Sequence, residues 1–134
     1  MTNTRTLKDL NLQITKALPA AGASNNSNAL DTANVNPGRN QDCELLIEVP
    51  ATPNLANGAT ITLTVQDSPD NAAFAAQSEL PPIILTGAGG VGAAAVARYF
   101  KFPITCGRYL RLNQIASAGG GDSTAVSSTL SIVF

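Results

Sequence analysis

Apolar and polar residues alternate one by one along several short stretches of the chain. Ile61, Leu63 and Val65 are separated by threonines, and Gln66 ends that stretch. Because successive side chains of a β-strand point to opposite faces, this period of two predicts a strand with one buried face. The same alternation returns over residues 126–134. We therefore predict a chain built mainly from half-buried strands.

Turn chemistry separates the predicted strands at short intervals. Between the alternating stretches 43–49 and 60–66, prolines and the pair Asn57-Gly58 supply the residues of a loop. A second turn cluster occupies residues 67–71. Short strands with turn signals about every 8 to 12 residues are typical of a β-sandwich or barrel. We predict an all-β, antiparallel fold of about 7–9 strands.

The first 28 residues have a hydrophobic pattern that fits two kinds of secondary structure. Their apolar residues fit either a strand or the stripe of an amphipathic helix. These residues are Leu7, Leu10, Leu12, Ile14 and Leu18. Residues 18–37 are rich in Asn, Ser and Gly, which is typical of a loop or an extended arm. The predicted organisation is an N-terminal arm over residues 1–28 and a β-sandwich domain over residues 29–134.

Composition excludes several classes of function. Histidine is absent, which removes the Ser-His-Asp triad, the Cys-His pair and histidine metal ligands. We therefore expect the protein not to be an enzyme and to hold no metal or cofactor. Charged residues make up 13% of the chain against a usual quarter, and the net charge is −1. Because the eight basic residues are scattered singly, we expect neither nucleic acid nor a membrane as partner.

Cysteine usage and the N-terminus add two further expectations. Cys43 and Cys106 are the only cysteines, so they form neither a repeated metal-ligand spacing nor a disulfide framework. We expect both to be buried free thiols. Residues 1–9 carry charges with no apolar stretch behind them, so we expect no secretory signal.

Gly87, Gly89 and Gly92 match the G-x-G-x-x-G fingerprint of dinucleotide-binding proteins. That fingerprint needs a carboxylate about 20 residues further on for the ribose, and no carboxylate lies between Glu79 and Asp122. We therefore interpret the motif as a glycine-rich hairpin or surface loop. Residues 80–97 include no charged residue over 18 positions, but two prolines and four glycines argue against a membrane span.

Two sets of polar residues have both a functional and a structural interpretation. Asp31, Asp67 and Asp70 could be calcium ligands or catalytic carboxylates, but the spacing lacks the alternating oxygen ligands of a calcium loop and aspartates in turns usually cap their own backbone, so we favour turn residues. Arg108 and Arg111, with an intervening tyrosine, could contact phosphate and stack on bases. The chain has only four Phe, two Tyr and no Trp, so we favour a solvated strand face.

The order of several short segments along the chain resembles one family. The segments are residues 24–31, the pair Gly38-Arg39, the strands 45–49 and 61–66 with Asp67-Ser68, the stretch 74–85, and residues 108–112 before a glycine-rich turn and a terminal apolar strand. This order is similar to that of the small cement or decoration proteins of tailed-phage capsids, over nearly the whole chain. Residues 87–97 are richer in Gly and Ala than that family suggests, so loop contacts are not transferred.

The resemblance implies a jelly-roll-like β-sandwich without catalytic residues. It implies a homo-oligomer, expected to be a dimer with a trimer as the alternative. It also implies a structural virion protein, assembled in the host cytoplasm, on the outer surface of the phage head. There it would clamp neighbouring major capsid protein subunits and stabilise the shell.

The N-terminal arm is the segment from which we expect a capsid or subunit interface. Its apolar residues, Leu7, Leu10, Leu12, Ile14 and Leu18, need a surface to pack against. The alternative is an edge strand folded on the protein's own sandwich. Two other functions stay open: a module that binds carbohydrate or a host surface, because jelly rolls also serve as lectins, and a nucleotide-binding enzyme resting only on the glycine motif.

Overall fold

The computed structural model describes residues 8–32, 44–101 and 106–133, which form ten antiparallel β-strands and no helix. The strands are β1 (Lys8–Ala17), β2 (Ser24–Asn26), β3 (Leu30–Asp31), β4 (Glu44–Val49), β5 (Thr60–Ser68), β6 (Ala75–Ala76), β7 (Ile83–Thr86), β8 (Val96–Lys101), β9 (Tyr109–Ala116) and β10 (Ser127–Val133). They divide into two sheets, and five of the connections along the chain from β3 onward cross from one sheet to the other.

One sheet has four strands in the order β1, β10, β4, β8. Leu130 of β10 lies opposite Ile47 of β4, and both side chains are buried against the other sheet. Leu46 lies on the reverse face, where the sequence alternation calls for a polar residue. It is nevertheless only 1% exposed, so this face of the sheet is not simply a solvated one.

The other sheet has the order β2, β9, β5, β6, with β3 also paired to β9 and β7 also paired to β5. Its centre is the long pairing of β5 with β9, in which Leu63 faces Gln114 and Val65 faces Leu112. Along β5 the residues alternate between buried and half-buried, as the sequence predicts. Strands β3 and β6 are short additions to this sheet, and the two sheets together form an antiparallel β-sandwich.

The hydrophobic core lies between the two sheets. Its fully buried members are mostly leucine and isoleucine: Leu18, Leu45, Ile47, Ile61, Leu63, Leu85, Leu110, Leu112, Leu130 and Ile132. Burying each of these side chains contributes about 1.5–3 kcal/mol relative to exposure. Alanine, the commonest apolar residue of the chain, contributes only three members, namely Ala59, Ala93 and Ala116.

The all-β antiparallel sandwich predicted from the sequence is confirmed. The described residues contain ten strands, above the predicted range of about seven to nine. The additional strands are short: β2, β3 and β6 have three, two and two residues. A pairing of two or three residues is too short to show a period, so the sequence could not reveal it.

Residues 8–28, the described part of the predicted arm, are built into both sheets. Strand β1 is an edge of the four-stranded sheet, paired with β10, and β2 pairs with β9 in the other sheet. This is the edge-strand alternative for the segment. The core between the sheets covers Leu12 and Ile14 of β1 and so supplies the surface that these apolar residues require.

Candidate binding surface

The outer face of the six-stranded sheet presents an uncharged row of side chains. In β5, Ile61, Leu63 and Val65 point into the core, so the threonines between them point outward. Directly opposite residues of paired strands share a face. Thr62 lies opposite Ile84 of β7 on one side and Ile115 of β9 on the other. These three side chains therefore stand side by side on the outside of the molecule.

The neighbouring rows of this face are also uncharged. Thr60 lies opposite Thr86, and Thr64 lies opposite Asn113, whose side-chain amide donates a 2.9 Å hydrogen bond to Asn26. We call this surface the neutral face. It consists of Ser24, Asn26, Thr60, Thr62, Thr64, Ile84, Thr86, Asn113 and Ile115.

Two large apolar side chains project from the neutral face into solvent. Ile84 is 58% exposed and Ile115 is 51% exposed. An isolated exposed isoleucine is common, but these two stand in one row with only Thr62 between them. Exposed apolar side chains grouped on one face make that face a candidate for binding another protein.

Three loops meet at the end of the sheet next to Thr60 and Thr86. Their residue ranges are 50–59, 87–95 and 117–121. The Gly58 amide donates to the Gly87 carbonyl oxygen at 2.9 Å, and the Ala56 amide donates to the Gly120 carbonyl oxygen at 2.9 Å. The Asn57 side chain accepts a 2.9 Å bond from the Gly90 amide. We call these three loops the loop end.

The glycine motif has a packing role within the loop end. A side chain at Gly87 would overlap the carbonyl oxygen of Ala56, and one at Gly92 would overlap that of Thr52. Gly92 also has φ of +77°, which residues with a Cβ rarely adopt. The chain continues into strand β8 and not into the helix that a dinucleotide site requires. These glycines therefore allow one loop backbone to lie directly on another.

The loop end continues the uncharged character of the neutral face. No charged residue occurs in residues 49–66, 80–97 or 112–121, and these three segments supply the loops and most of strands β5, β7 and β9. Val91, at the tip of one loop, is 74% exposed. Sequence reasoning considered only the middle segment, as a membrane span. The sequence feature that could have indicated this surface is the presence of three charge-free stretches, which the fold brings together.

Charged side chains lie at the end of the neutral face opposite the loop end, and each of them bonds to another side chain of the protein. Arg108 forms a two-bond ion pair with Asp31, at 2.8 and 2.9 Å, which raises the pKa of the guanidinium. Arg111 donates a 2.8 Å bond to Gln66 and lies 4.1 Å from the centre of the Phe74 ring. Both arginines thus have partners within the protein, which supports the strand-face interpretation over a phosphate site.

Of the three aspartates predicted to be turn residues, Asp70 binds the backbone of its own turn, whereas Asp31 and Asp67 instead lie in strands β3 and β5. Asp70 accepts hydrogen bonds from the amides of Ala72 and Ala73, at 3.0 and 3.2 Å, and from the Ser68 hydroxyl at 2.9 Å. These bonds, first that from Ala72, lower the pKa of Asp70. Among the residues that the structure describes, no three acidic or thiol groups are clustered in a way that could hold a metal ion.

Asp67 and Cys106 lie close together at the same end of the sheet as these charged side chains. The Asp67 carboxylate accepts bonds from the Gly107 amide at 2.6 Å and from the Gln77 amide at 3.3 Å. Cys106 is partly buried, and burial, followed by the negative charge of Asp67, raises its pKa to about 12. A thiol with this pKa is protonated and unreactive at neutral pH. Cys43, the other predicted buried thiol, lies outside the described residues.

A shallow depression of about 350 Å³ lies on the four-stranded sheet. Glu48, Pro50, Ala97 and Thr129 are among its lining residues. The rest of its lining is mostly small or apolar, with Ser127 as a third polar residue. No helix in the described ranges has the length and apolarity needed to cross a membrane.

The structure places three of the five predicted interface residues. Leu12 and Leu18 are buried in the core, and Ile14 packs against it. Leu7 and the side chain of Leu10 lie outside what the structure describes. Because the three placed residues face the protein's own core, the exposed apolar surface is located elsewhere, on the neutral face and the loop end.

The comparison with protein families gives one match. A family model named Bbp16 matches residues 12–130, nearly the whole of the chain. The chain belongs to the Bbp16 family. No curated protein gives a significant match. The Bbp16 family is a phage-type family, so the phage relationship predicted from the sequence is confirmed. Membership of the family favours a structural protein associated with the virion.

Proposed function

We propose that this protein is a capsid decoration protein. It binds the outer surface of a phage head, contacts neighbouring major capsid protein subunits and stabilises the shell against disassembly. The observation that carries the proposal is the exposed row of Ile84, Thr62 and Ile115 on an uncharged sheet face. Membership of a phage-type family supports the choice of partner.

The neutral face is suited to such a contact on energetic grounds. Covering a charged side chain costs desolvation energy unless an opposite charge meets it. The threonines and asparagines of the neutral face need only hydrogen bonds, and its isoleucines gain about 25 cal/mol for each Å² removed from water. A neutral face can therefore adhere to a neutral area of the shell and bridge the line where two subunits meet.

Binding to undecorated shells tests the proposal. We expect the wild-type protein to co-sediment with purified shells at micromolar concentration and to raise their melting temperature. Binding through the neutral face should be nearly unchanged between low and high salt, because no ion pair contributes. Failure to sediment, together with an unchanged shell melting temperature, would count decisively against a decoration role.

Two matched variants locate the contact. Ile115→Lys introduces a charge at the centre of the neutral face, and Thr15→Lys introduces the same charge at an exposed position of β1 on the other sheet. We expect Ile115→Lys to weaken sedimentation at least about tenfold, since a lysine would be covered without a partner. Thr15→Lys should bind like the wild type. The opposite pattern would exclude the neutral face as the contact.

Self-association is the second part of the proposal. We expect a homodimer, with a trimer as the alternative, because one particle with two copies of the binding surface can hold two capsid subunits. Light scattering on the purified protein measures this directly. A strict monomer would contradict self-association and leave only contact through a single neutral face.

A further inference from the structure

Strand β8 is an exposed edge of the four-stranded sheet. It pairs with β4 from Val96 opposite Val49 to Lys101 opposite Glu44, and it has no second strand partner among the described residues. An edge strand presents a row of backbone amides and carbonyls that can pair with another extended chain. Four of its six residues are exposed, so this side of the sandwich is accessible.

The side chains of β8 give this edge a positive charge. Arg98 and Lys101 are exposed and β8 has no acidic residue. Glu44 lies opposite Lys101 on the neighbouring strand, whereas Arg98 lies opposite Ile47 and has no such counter-charge across the pair. Glu48 lies opposite Ala97, one position from Arg98 on the reverse face. Of the two basic residues of β8, Arg98 is therefore the one whose positive charge no acidic residue across the pair offsets, and an added strand would contact it.

The apolar residues of β8 define what else the added strand would contact. Val96 and Phe100 are partly buried and pack against the core from the inner side of the edge. Tyr99 points to the reverse face and is 53% exposed. An added strand with alternating apolar residues would cover Val96 and Phe100 while its other residues met Tyr99.

We propose that β8 is a docking site for an extended acidic segment of another protein, which adds to the four-stranded sheet as a fifth strand. Charge complementarity to Arg98, which has no acidic residue opposite it on β4, selects that partner. A second copy is disfavoured in the registers that place Arg98 opposite Arg98 or Lys101 of the other β8 strand, because like charges then meet. The site is separate from the neutral face and goes beyond the decoration role, since it requires charge where the neutral face has none.

Two synthetic peptides of alternating valine and threonine test the proposal, one with two aspartates and the other with two lysines at the same positions. Fluorescence anisotropy measures their binding to the full-length protein. We expect the acidic peptide to bind about tenfold more tightly than the basic one, and more weakly as salt is raised. Hydrogen exchange should slow at amides of β8 when the acidic peptide is bound.

Substitutions of single charged residues test whether the peptide binds at β8. Arg98→Glu should remove the preference for the acidic peptide, and Arg98→Gln should reduce it. Lys16→Glu, on the opposite edge strand β1, is the control and should leave it unchanged. Absence of binding up to about 1 mM peptide would overturn the proposal, as would equal effects of Lys16→Glu and Arg98→Glu. Either result leaves shell binding through the neutral face untouched, because sedimentation of the wild type is measured independently.

Discussion

The Ser128 hydroxyl donates a 2.5 Å hydrogen bond to the side-chain oxygen of Gln114 and so joins β10 of one sheet to β9 of the other. The Gln114 amide donates in turn to the Ala17 carbonyl oxygen at 3.0 Å and to the Asn25 side chain at 2.7 Å. Gln114 and Ser128 are completely buried. The segment between β1 and β2 is therefore held to both sheets by one polar network inside the core.

Replacing Gln114 with methionine tests this network. Gln114→Met keeps the length of the side chain but leaves the partners at Ala17, Asn25 and Ser128 without it. Each buried polar group that loses its partner costs about 1–3 kcal/mol, but the Ala17 carbonyl oxygen keeps a bond from Asn25 and the Ser128 hydroxyl keeps one to the Lys16 carbonyl oxygen. We therefore expect a loss of about 2 kcal/mol in unfolding free energy, measured by urea denaturation. The half-buried Gln66→Met should lose about 1 kcal/mol or less. Equal losses would show that burial of the network is unimportant.

Two glycines of the loop end form a matched pair. Gly90 and Gly92 both have positive φ, +72° and +77°, but a Cβ at Gly90 meets nothing, whereas one at Gly92 overlaps the Thr52 carbonyl oxygen. Gly90→Ala should therefore cost only the backbone strain, about 1–2 kcal/mol, and Gly92→Ala clearly more. Thermal unfolding of both variants compares them. Similar midpoints would contradict close backbone packing between the loops.

Core and surface positions of the six-stranded sheet should respond differently to truncation. Leu63 is 1% exposed, so Leu63→Ala is expected to reduce the unfolding free energy by about 2–5 kcal/mol. Ile84, on the neutral face, should lose less than about 1 kcal/mol on replacement with alanine. Urea denaturation distinguishes the two. A large loss for Ile84→Ala would indicate that Ile84 supports the fold rather than a contact surface.

Acid should weaken the turn that Asp70 caps. Hydrogen bonds from Ala72, Ser68 and Ala73 lower the pKa of Asp70 below its ordinary 3.8, so the carboxylate stabilises the folded state above that pH. This contribution is lost as the pH falls from about 4 through the lowered pKa. The stability difference between wild type and Asp70→Asn should therefore be constant near neutral pH and shrink in acid. A difference that does not change with pH would contradict this role.

Cys106 should react slowly in the folded protein. Burial and the negative charge of Asp67 raise its pKa to about 12 from 9.0, which lowers the thiolate population about 1000-fold at pH 8. In a Cys43→Ser background, alkylation by iodoacetamide should be strongly suppressed and should recover in urea. Mass spectrometry measures the rate of alkylation. Fast alkylation under native conditions would show that Cys106 is accessible as a thiolate.

Strand β5 and the N-terminal segment show how far the sequence reaches. Strand β5 is evident from alternation alone, because the face of a side chain depends only on its position along the strand. The sequence around Leu12 and Leu18 is compatible with either a strand or a helix, since its apolar residues fit both periods. Pairing with β10 decides in favour of the strand. The candidate surface was not predicted, because each charge-free stretch has an ordinary explanation when considered alone.

The sequence by itself determined the class of fold and the absence of histidine-based sites, since alternation and the lack of histidine are properties of the residues in order. Only the tertiary structure decided that Ile84, Thr62 and Ile115 stand in one row and that the loops around Gly58, Gly87 and Gly120 meet. The physical reason is that a local pattern gives the face of a side chain but not its neighbours. Neighbours follow from the order of strands in the sheets, which long-range backbone pairing and core packing determine.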